Sequence, residues 1–307
     1  NMSQTLQNRS SFSIWLQAIR AFSFTASMVP IFVGAMLALS FDGEKRWELF
    51  PLVILCSLLM HAGTNLVSDY YDYKKGVDSE DALGGSGVLV GKLLEPKKVL
   101  IAGCACFALC FLLGLLFVQI RGINMLYLGL IGILGGYFYS GGISYKFIAL
   151  GDIIVFWLMG PLMVIGSYFV ITGVFDSNVA LVSMPIGFLV TAILHANNLR
   201  DIKHDAASNV RTVANIIGLD GAKIQYYFLV GAAYVAVGAM VTMNILPIWA
   251  LLVLLSLPPA IKNMKTVSNA SLESTSEIAM IDIQTAQHHF LFGMLLIVGL
   301  LIAALIK

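Results

Sequence analysis

Nine stretches of roughly twenty mostly apolar residues divide this sequence: Ile19–Phe41, Leu49–Val67, Val99–Ile120, Met125–Gly142, Asp152–Thr172, Val179–Asn198, Ile224–Met243, Leu246–Ile261 and Phe290–Ile306. A bilayer core of about 30 Å is crossed by about twenty apolar residues in a helix. Lipid leaves no water to satisfy backbone groups, so such stretches fold as helices. The composition agrees: 59% of the 307 residues are hydrophobic and 11% charged. A soluble domain carries about a quarter charged residues. The expected fold is therefore all-α, a polytopic bundle of nine transmembrane helices, forming one domain over residues 1–307. The first stretch leads straight into further spans, which fits a spanning helix and not a cleaved signal peptide. The eighth is interrupted by Pro258-Pro259, which a membrane helix absorbs if its neighbours satisfy the freed groups.

Basic residues set the orientation. With nine spans, Lys45, Arg46, Arg121 and Lys307 fall on one side, and the other fourteen of the 18 Lys and Arg, Arg9 among them, fall on the opposite side. The positive-inside rule puts that richer side in the cytoplasm. The N-terminus is then cytoplasmic and the C-terminus outside, in a multi-pass protein of the cell membrane. A net charge of +1 gives no footprint for nucleic acid, which is not expected as a partner. Cys56, Cys104, Cys106 and Cys110 lie within apolar runs without Cys-x-x-Cys spacing, as small buried residues do.

The acidic residues cluster. One group closes the second span, from His61 through Asn65, Asp69 and Asp72 to Asp78. A second closes the sixth span, from His195 through Asn197, Asn198 and Asp201 to Asp205. Residues three or four apart share a helical face, so His61, Asn65, Asp69 and Asp72 form one stripe, and His195, Asn198, Asp201 and Asp205 another. Four spans separate them, so both stripes have the same orientation, as in a parallel repeat. Facing carboxylates repel unless a cation lies between them. Their oxygen donors suit Mg²⁺, which binds one or two carboxylates together with substrate phosphates. The metal-ligand candidates are Asn65, Asp69, Asp72, Asn198, Asp201 and Asp205. Solvated helix ends would account for a single stripe, but not for a matched pair at membrane depth, where ionisable residues are costly.

The cytoplasmic loops 73–98 and 200–223 are expected to cap this region. The segment Gly84–Lys92 resembles a phosphate loop only superficially, since Ser86 and Leu93 break the pattern. Lys92 and Arg211 nonetheless qualify as phosphate contacts. The loop Tyr139–Lys146 contains Ser140, Tyr145 and a single cation, a composition that also suits an interfacial belt. Asp282 has no carboxylate stripe beside it and is expected to lie apart from this chemistry.

The motif Asn65-x-x-x-Asp69 with Asp72, paired with Asn198-x-x-Asp201-x-x-x-Asp205, resembles the UbiA superfamily of membrane prenyltransferases. The strings Asn65–Asp78, Tyr139–Lys146 and Asn197–Asp201 most resemble its menaquinone branch, the 1,4-dihydroxy-2-naphthoate prenyltransferases and their animal relatives. The resemblance covers essentially the whole chain and implies nine helices. It also implies a polyprenyl diphosphate donor, an aromatic acceptor, Mg²⁺ as cofactor and a product left in membrane lipid. It implies catalytic roles for Asp69, Asp201, Asp205, Tyr139 and Lys146. Substrate contacts would come from Asn65, Asn197, Asn198, Ser140, Tyr145, Lys92, Arg211 and Arg20. One departure stands out: many members carry an acid where this chain has Tyr73, and here the acid is Asp72. Two other readings remain open at this point, a prenyltransferase acting on geranylgeranylglyceryl phosphate and an ion-coupled transporter. A transporter places its charges near the midplane at helix breaks, whereas these lie at helix ends beside basic loops.

Overall fold

The computed structural model describes residues 10–78, 85–272 and 276–306. Part of the 73–98 loop, Arg9 and Lys307 lie outside them. Within the described residues the chain is all helix, and its sole β-type pairing is an isolated bridge between Ile148 and Arg211. A short helix α1 (Ser11–Ala18) precedes α2 (Thr25–Leu39), α3 (Phe50–Lys74), α4 (Pro96–Arg121) and α5 (Ile123–Phe138). Then follow α6 (Gly151–Trp157) and α7 (Met163–Thr172), joined by a π-turn over Leu158–Leu162. The rest comprises α8 (Ser177–Arg200), the short α9 (Ile202–Ala207), α10 (Val213–Thr242), α11 (Leu257–Ser268) and α12 (Ile281–Ile306).

Among the described residues seven helical segments are long and apolar enough to cross a membrane. This is two fewer than the apolar stretches in the sequence, and each difference has a local cause. The expected span Met125–Gly142 stops at Phe138 and has 16 residues, about 24 Å of helix. Its last residues turn instead, with Gly142 at φ +53°, a conformation that costs glycine little. The expected span Leu246–Ile261 is a 3₁₀ helix over Ile248–Ser256 that passes into α11. Pro258 and Pro259 have no N–H, so they cannot donate back to the preceding turn, and they begin a new helix instead.

The bundle is built around α8. Of its most apolar window 67% is buried, against 22% for α4, which is therefore a peripheral helix. The main core is contributed by α2, α7, α8, α10 and α12, with Ile171, Ile186, Leu189, Tyr226 and Phe292 fully enclosed. The α6–α7 unit reaches α8 at the π-turn. A Cβ on Gly160 would stand 2.5 Å from the Gly187 Cα, so only glycine permits this approach. The turn sits at Pro161, whose missing N–H breaks the ordinary ladder.

Candidate active site

The two acidic helix ends meet at one end of the bundle. The loops around them are tied together: His204 Nε2 lies 3.0 Å from the Val77 carbonyl oxygen, and the Arg211 and Ala149 amides bond to the carbonyls of Phe147 and Arg211. Beneath them opens a cavity of about 1050 Å³, at the upper end of ligand pockets. Its polar end is lined by Arg20, Asn65, Asp72, Asp78, Tyr139, Tyr145, Lys146, Asn197, Asn198, Asp201 and Asp205. The remainder is largely apolar and runs between α2, α3, α4, α5 and α7.

The first motif is neutralised by partners distant in sequence. Arg20 pairs with Asp69, which also accepts from the Ser86 hydroxyl, and Asp69 is almost wholly buried. Asp72 accepts from Lys146 Nζ at 2.8 Å and from Ser68 Oγ at 3.0 Å. Its second oxygen, Oδ1, is buried without a partner. Burial works against the Lys146 ammonium, but the Asp72 carboxylate more than offsets this and holds its pKa above the ordinary lysine value. Asn65 donates to the Ile19 carbonyl at 2.9 Å. Asp78 has no ion pair among the described residues; burial first, then Asp72 and Asp69, push its carboxyl up to about 6. Tyr73, the position of the expected acid, points outward and is 39% exposed. The helical turn therefore aims Asp72, and not position 73, at the cavity.

The second motif is held by an arginine that sequence reasoning treats only as a loop charge. Arg200 grips Asp201 through Nε at 2.8 Å and Nη2 at 2.7 Å. It also donates to Asn197 Oδ1 at 2.5 Å and pairs with Asp282 at 2.8 Å. Asp282 is thus part of the site, contrary to expectation. The first turn of α12 folds back onto the end of α8, and nothing local to Asp282 signals that contact. Asp205 is pushed up to about 6, by burial and then by Asp201. Asn198 faces two ways: it lines the cavity while its Nδ2 donates to Asp152 at 3.2 Å. Asp152, His195 and Gln225 form a buried network behind it, with contacts of 2.9 and 2.8 Å to the Asp152 carboxylate. The sequence singles out His195, but the acceptor it serves lies 43 residues away.

The loop after α5 supplies the aromatic wall. Tyr139 stands under Lys146 Nζ, 5.6 Å from its ring centroid. Tyr145 donates to the Gly135 carbonyl at 2.9 Å. Ser140 is fully buried against Ser68, with 2.8 Å between hydroxyls, and braces α3 without lining the cavity. Lys92 and Arg211 are exposed and do not line it either. The structure therefore does not bring these two expected phosphate contacts to the cavity wall.

Among the described residues no three His, Cys, Asp or Glu side chains stand together as a ready-made metal site. The donor set still fits Mg²⁺ completed by phosphate oxygens. The buried Asp72 Oδ1 lacks a partner, and Asp78 and Asp205 line the same cavity end with carboxyls that burial disfavours as free charges.

The sequence pattern of the UbiA prenyltransferase family matches residues 27–281. The 1,4-dihydroxy-2-naphthoate octaprenyltransferase of Bacillus subtilis is 31% identical over 298 residues, 97% of this chain and 95% of that protein. The human UbiA prenyltransferase domain-containing protein 1 is 28% identical, over 96% of this chain and 85% of its own. In fold, the chain resembles a UbiA homolog from Aeropyrum pernix K1, with a TM-score of 0.68 at 12% identity over 92% of this chain and 98% of that one. It also resembles the Archaeoglobus fulgidus homolog solved with DMAPP and Mg²⁺, with a TM-score of 0.57 at 15% identity over 91% and 98% of the two chains. With its apolar helices and this match over most of its length, the chain belongs to the UbiA prenyltransferase family and is a membrane prenyltransferase.

Proposed function

We propose that this enzyme moves a prenyl group from a polyprenyl diphosphate to 1,4-dihydroxy-2-naphthoate with Mg²⁺ as cofactor. The observation that carries the reading is a single cavity with two carboxylate motifs at one end and an apolar chamber behind them. A diphosphate with a long hydrocarbon tail has the same division of chemistry. Similarity to the Bacillus subtilis enzyme along nearly the whole chain favours the naphthoate acceptor.

Bound Mg²⁺ would supply positive charge to the departing diphosphate. Asn65, Asp69, Asp72, Asn198, Asp201 and Asp205 would hold it, with Asp78 beside them. Arg20, Lys146 and Arg200 hold Asp69, Asp72 and Asp201 in place. Lys146, at the cavity wall and charged, would also face the leaving group. The donor's carbon–oxygen bond then breaks towards the diphosphate, leaving an allylic cation. Tyr139 and Tyr145 present ring faces that stabilise such a cation and exclude water. The electron-rich acceptor ring attacks that cation through the carbon that bears the carboxylate; the new carbon–carbon bond forms, the bond to the carboxylate breaks, and CO₂ leaves while its bonding pair restores the aromatic ring. Asn197 and Ser140 act through others, the first on Arg200 and the second on Ser68.

In this reading α5 and the segment Ile248–Ser268 complete nine crossings in a single domain. The 3₁₀ portion lengthens that last segment to about 36 Å in total, since it rises about 2.0 Å per residue. The site end then faces the cytoplasm, covered by loops 73–98 and 200–223. The test offers purified enzyme labelled geranylgeranyl diphosphate and a panel of acceptors. Prenylated naphthoate is the expected product. Transfer only to geranylgeranylglyceryl phosphate would replace the acceptor, and ion flux in proteoliposomes without transfer would replace the reaction.

A further inference from the structure

Each acidic motif carries an asparagine whose amide nitrogen is tied to a group that can only accept. Asn65 Nδ2 donates to the Ile19 carbonyl at 2.9 Å. Asn198 Nδ2 donates to Asp152 Oδ1 at 3.2 Å. An amide has one donor end and one acceptor end, so a tether on the nitrogen decides which end is left over. Both residues line the cavity, and in both the end left over is the carbonyl oxygen. Oxygen is the end that Mg²⁺ takes. An NH₂ group turned the same way would offer the ion no lone pair.

At Asn65 the tether is backbone. At Asn198 it is a side chain, and other side chains hold it. Asp152 is the second residue of α6 and is 4% exposed. An acid in a first turn ordinarily serves the positive end of its own helix. Asp152 instead reaches α8 and α10. Its Oδ2 lies 2.9 Å from His195 Nδ1 and 2.8 Å from Gln225 Nε2, and a carboxylate only accepts. His195 is fixed in turn, with Nε2 2.9 Å from the Ala222 carbonyl oxygen. One oxygen of Asp152 is therefore filled by two donors, and the other is kept for Asn198. Asp152, His195 and Gln225 are all absent from the cavity wall, so they act on the site only through Asn198.

We infer that Asp152 is a positioning residue for the metal: its carboxylate fixes the Asn198 amide with the oxygen toward the acidic end of the cavity, where it can ligate Mg²⁺. The inference rests on the Mg²⁺ reading above and adds to it a residue that does not meet the ion. The same geometry dictates what an amide of the same shape does at this position. In Asp152→Asn, the donors of His195 and Gln225 claim the new carbonyl oxygen, so the new NH₂ takes the place of Oδ1. Asn198 then turns its own oxygen inward to accept from it, and its NH₂ faces the cavity. The reciprocal exchange, Asp152→Asn together with Asn198→Asp, removes this conflict. The side chain at 198 then has two equivalent oxygens, one to accept from the new amide and one for the ion, and the total charge is unchanged.

The test measures Mn²⁺ binding by equilibrium dialysis at fixed inorganic pyrophosphate, with the purified full chain in detergent and thermal unfolding of each variant alongside. Asp152→Asn weakens Mn²⁺ binding about tenfold or more, the scale on which the partners of metal ligands act. The reciprocal exchange restores most of that loss. In turnover, the Mg²⁺ concentration that gives half the maximal rate rises in Asp152→Asn, while the rate at saturating Mg²⁺ falls less. A role confined to the fold would lower the unfolding temperature and leave the metal affinity of the folded protein unchanged. Should Asp152→Asn fail to fold, Asp152→Ser takes its place: it leaves the Asn198 amide without its acceptor, and Mn²⁺ binding weakens in the same direction. Wild-type Mn²⁺ affinity in the folded single variant would overturn the inference, as would an exchange that binds no better than Asp152→Asn. A wild type that binds no Mn²⁺ with pyrophosphate would instead remove the Mg²⁺ reading itself.

Discussion

Asp201→Asn separates the role of the second motif in the reaction from its role in the fold. The substitution keeps size and one acceptor but removes a charge. In the structure Asp201 takes two charge-assisted bonds from Arg200, at 2.8 and 2.7 Å, with its side chain 18% exposed. Arg200 retains Asp282 at 2.8 Å and Asn197 at 2.5 Å. A hydrogen bond to a charged group contributes about 1.5–3 kcal/mol, and one acceptor remains, so the expected stability loss is about 1–2 kcal/mol. The variant therefore folds. In catalysis the lost charge is one that would hold Mg²⁺ against the departing diphosphate. Removing one transition-state donor costs about 10²–10³ in kcat, and a loss of that size is expected here. Asp282→Asn is the informative companion. It removes a partner of Arg200 while leaving the Asp201 carboxylate in place, so its rate should fall less, by about tenfold or below, on the scale of one hydrogen bond. Steady-state rates at saturating Mg²⁺, with thermal unfolding in detergent, measure both effects. If Asp201→Asn turns over like wild type while folded, the second motif does not serve the reaction. If Asp282→Asn is the slower of the two, Arg200 and not Asp201 is the important member.

Lys146→Met leaves Asp72 buried with no charged partner, and breaking a buried pair costs about 3–5 kcal/mol; thermal unfolding should show that loss, and Lys146→Arg should recover part of it. Lys92→Ala and Arg211→Ala should change kcat/KM by no more than about twofold, as surface changes do, since neither side chain reaches the cavity; a tenfold loss in either would show that these loops close over substrate. Lys97→Cys should be labelled from the cytoplasmic side and Asn124→Cys from the opposite side, following the distribution of Lys and Arg; the reverse labelling would overturn the orientation.

The parts of this site that depend on helical periodicity are readable in sequence. Asn65 and Asp72 fall on one face because successive residues turn by a fixed angle, and both line the cavity, whereas Asp69 is buried against Arg20 and Ser86 and does not. Asp201 and Asp205 likewise line the cavity. What periodicity does not carry is the identity of partners across the bundle. Arg20 and Asp69 are 49 residues apart, and Lys146 and Asp72 are 74 apart. Arg200 reads as one more loop cation until α12 places Asp282 against it. Asp152 opens a helix and looks like an ordinary first-turn acid, yet it fixes Asn198 from behind. Lys92 and Arg211 show the converse. Their chemistry suits phosphate, but the backbone bonds that join Arg211 to the 147–149 loop leave its side chain outside. The apolar stretches mark crossings well where twenty residues form one helix. They do not show how the helix is interrupted where α5 ends at Phe138 and where paired prolines divide the segment before α11.

The central claim is that the acidic end of the cavity holds a prenyl diphosphate through Mg²⁺ while the chamber holds its tail. Its most direct test is prenyl transfer from labelled geranylgeranyl diphosphate to 1,4-dihydroxy-2-naphthoate by the purified protein, measured with Mg²⁺, with EDTA, and with Mg²⁺ restored. Asp69, Asp72 and Asp201 already have cationic partners, but Asp78 and Asp205 have none among the described residues, so a diphosphate beside them calls for a further cation. Transfer should therefore appear with Mg²⁺, vanish with EDTA and return on restoration. Full transfer in EDTA would contradict the account.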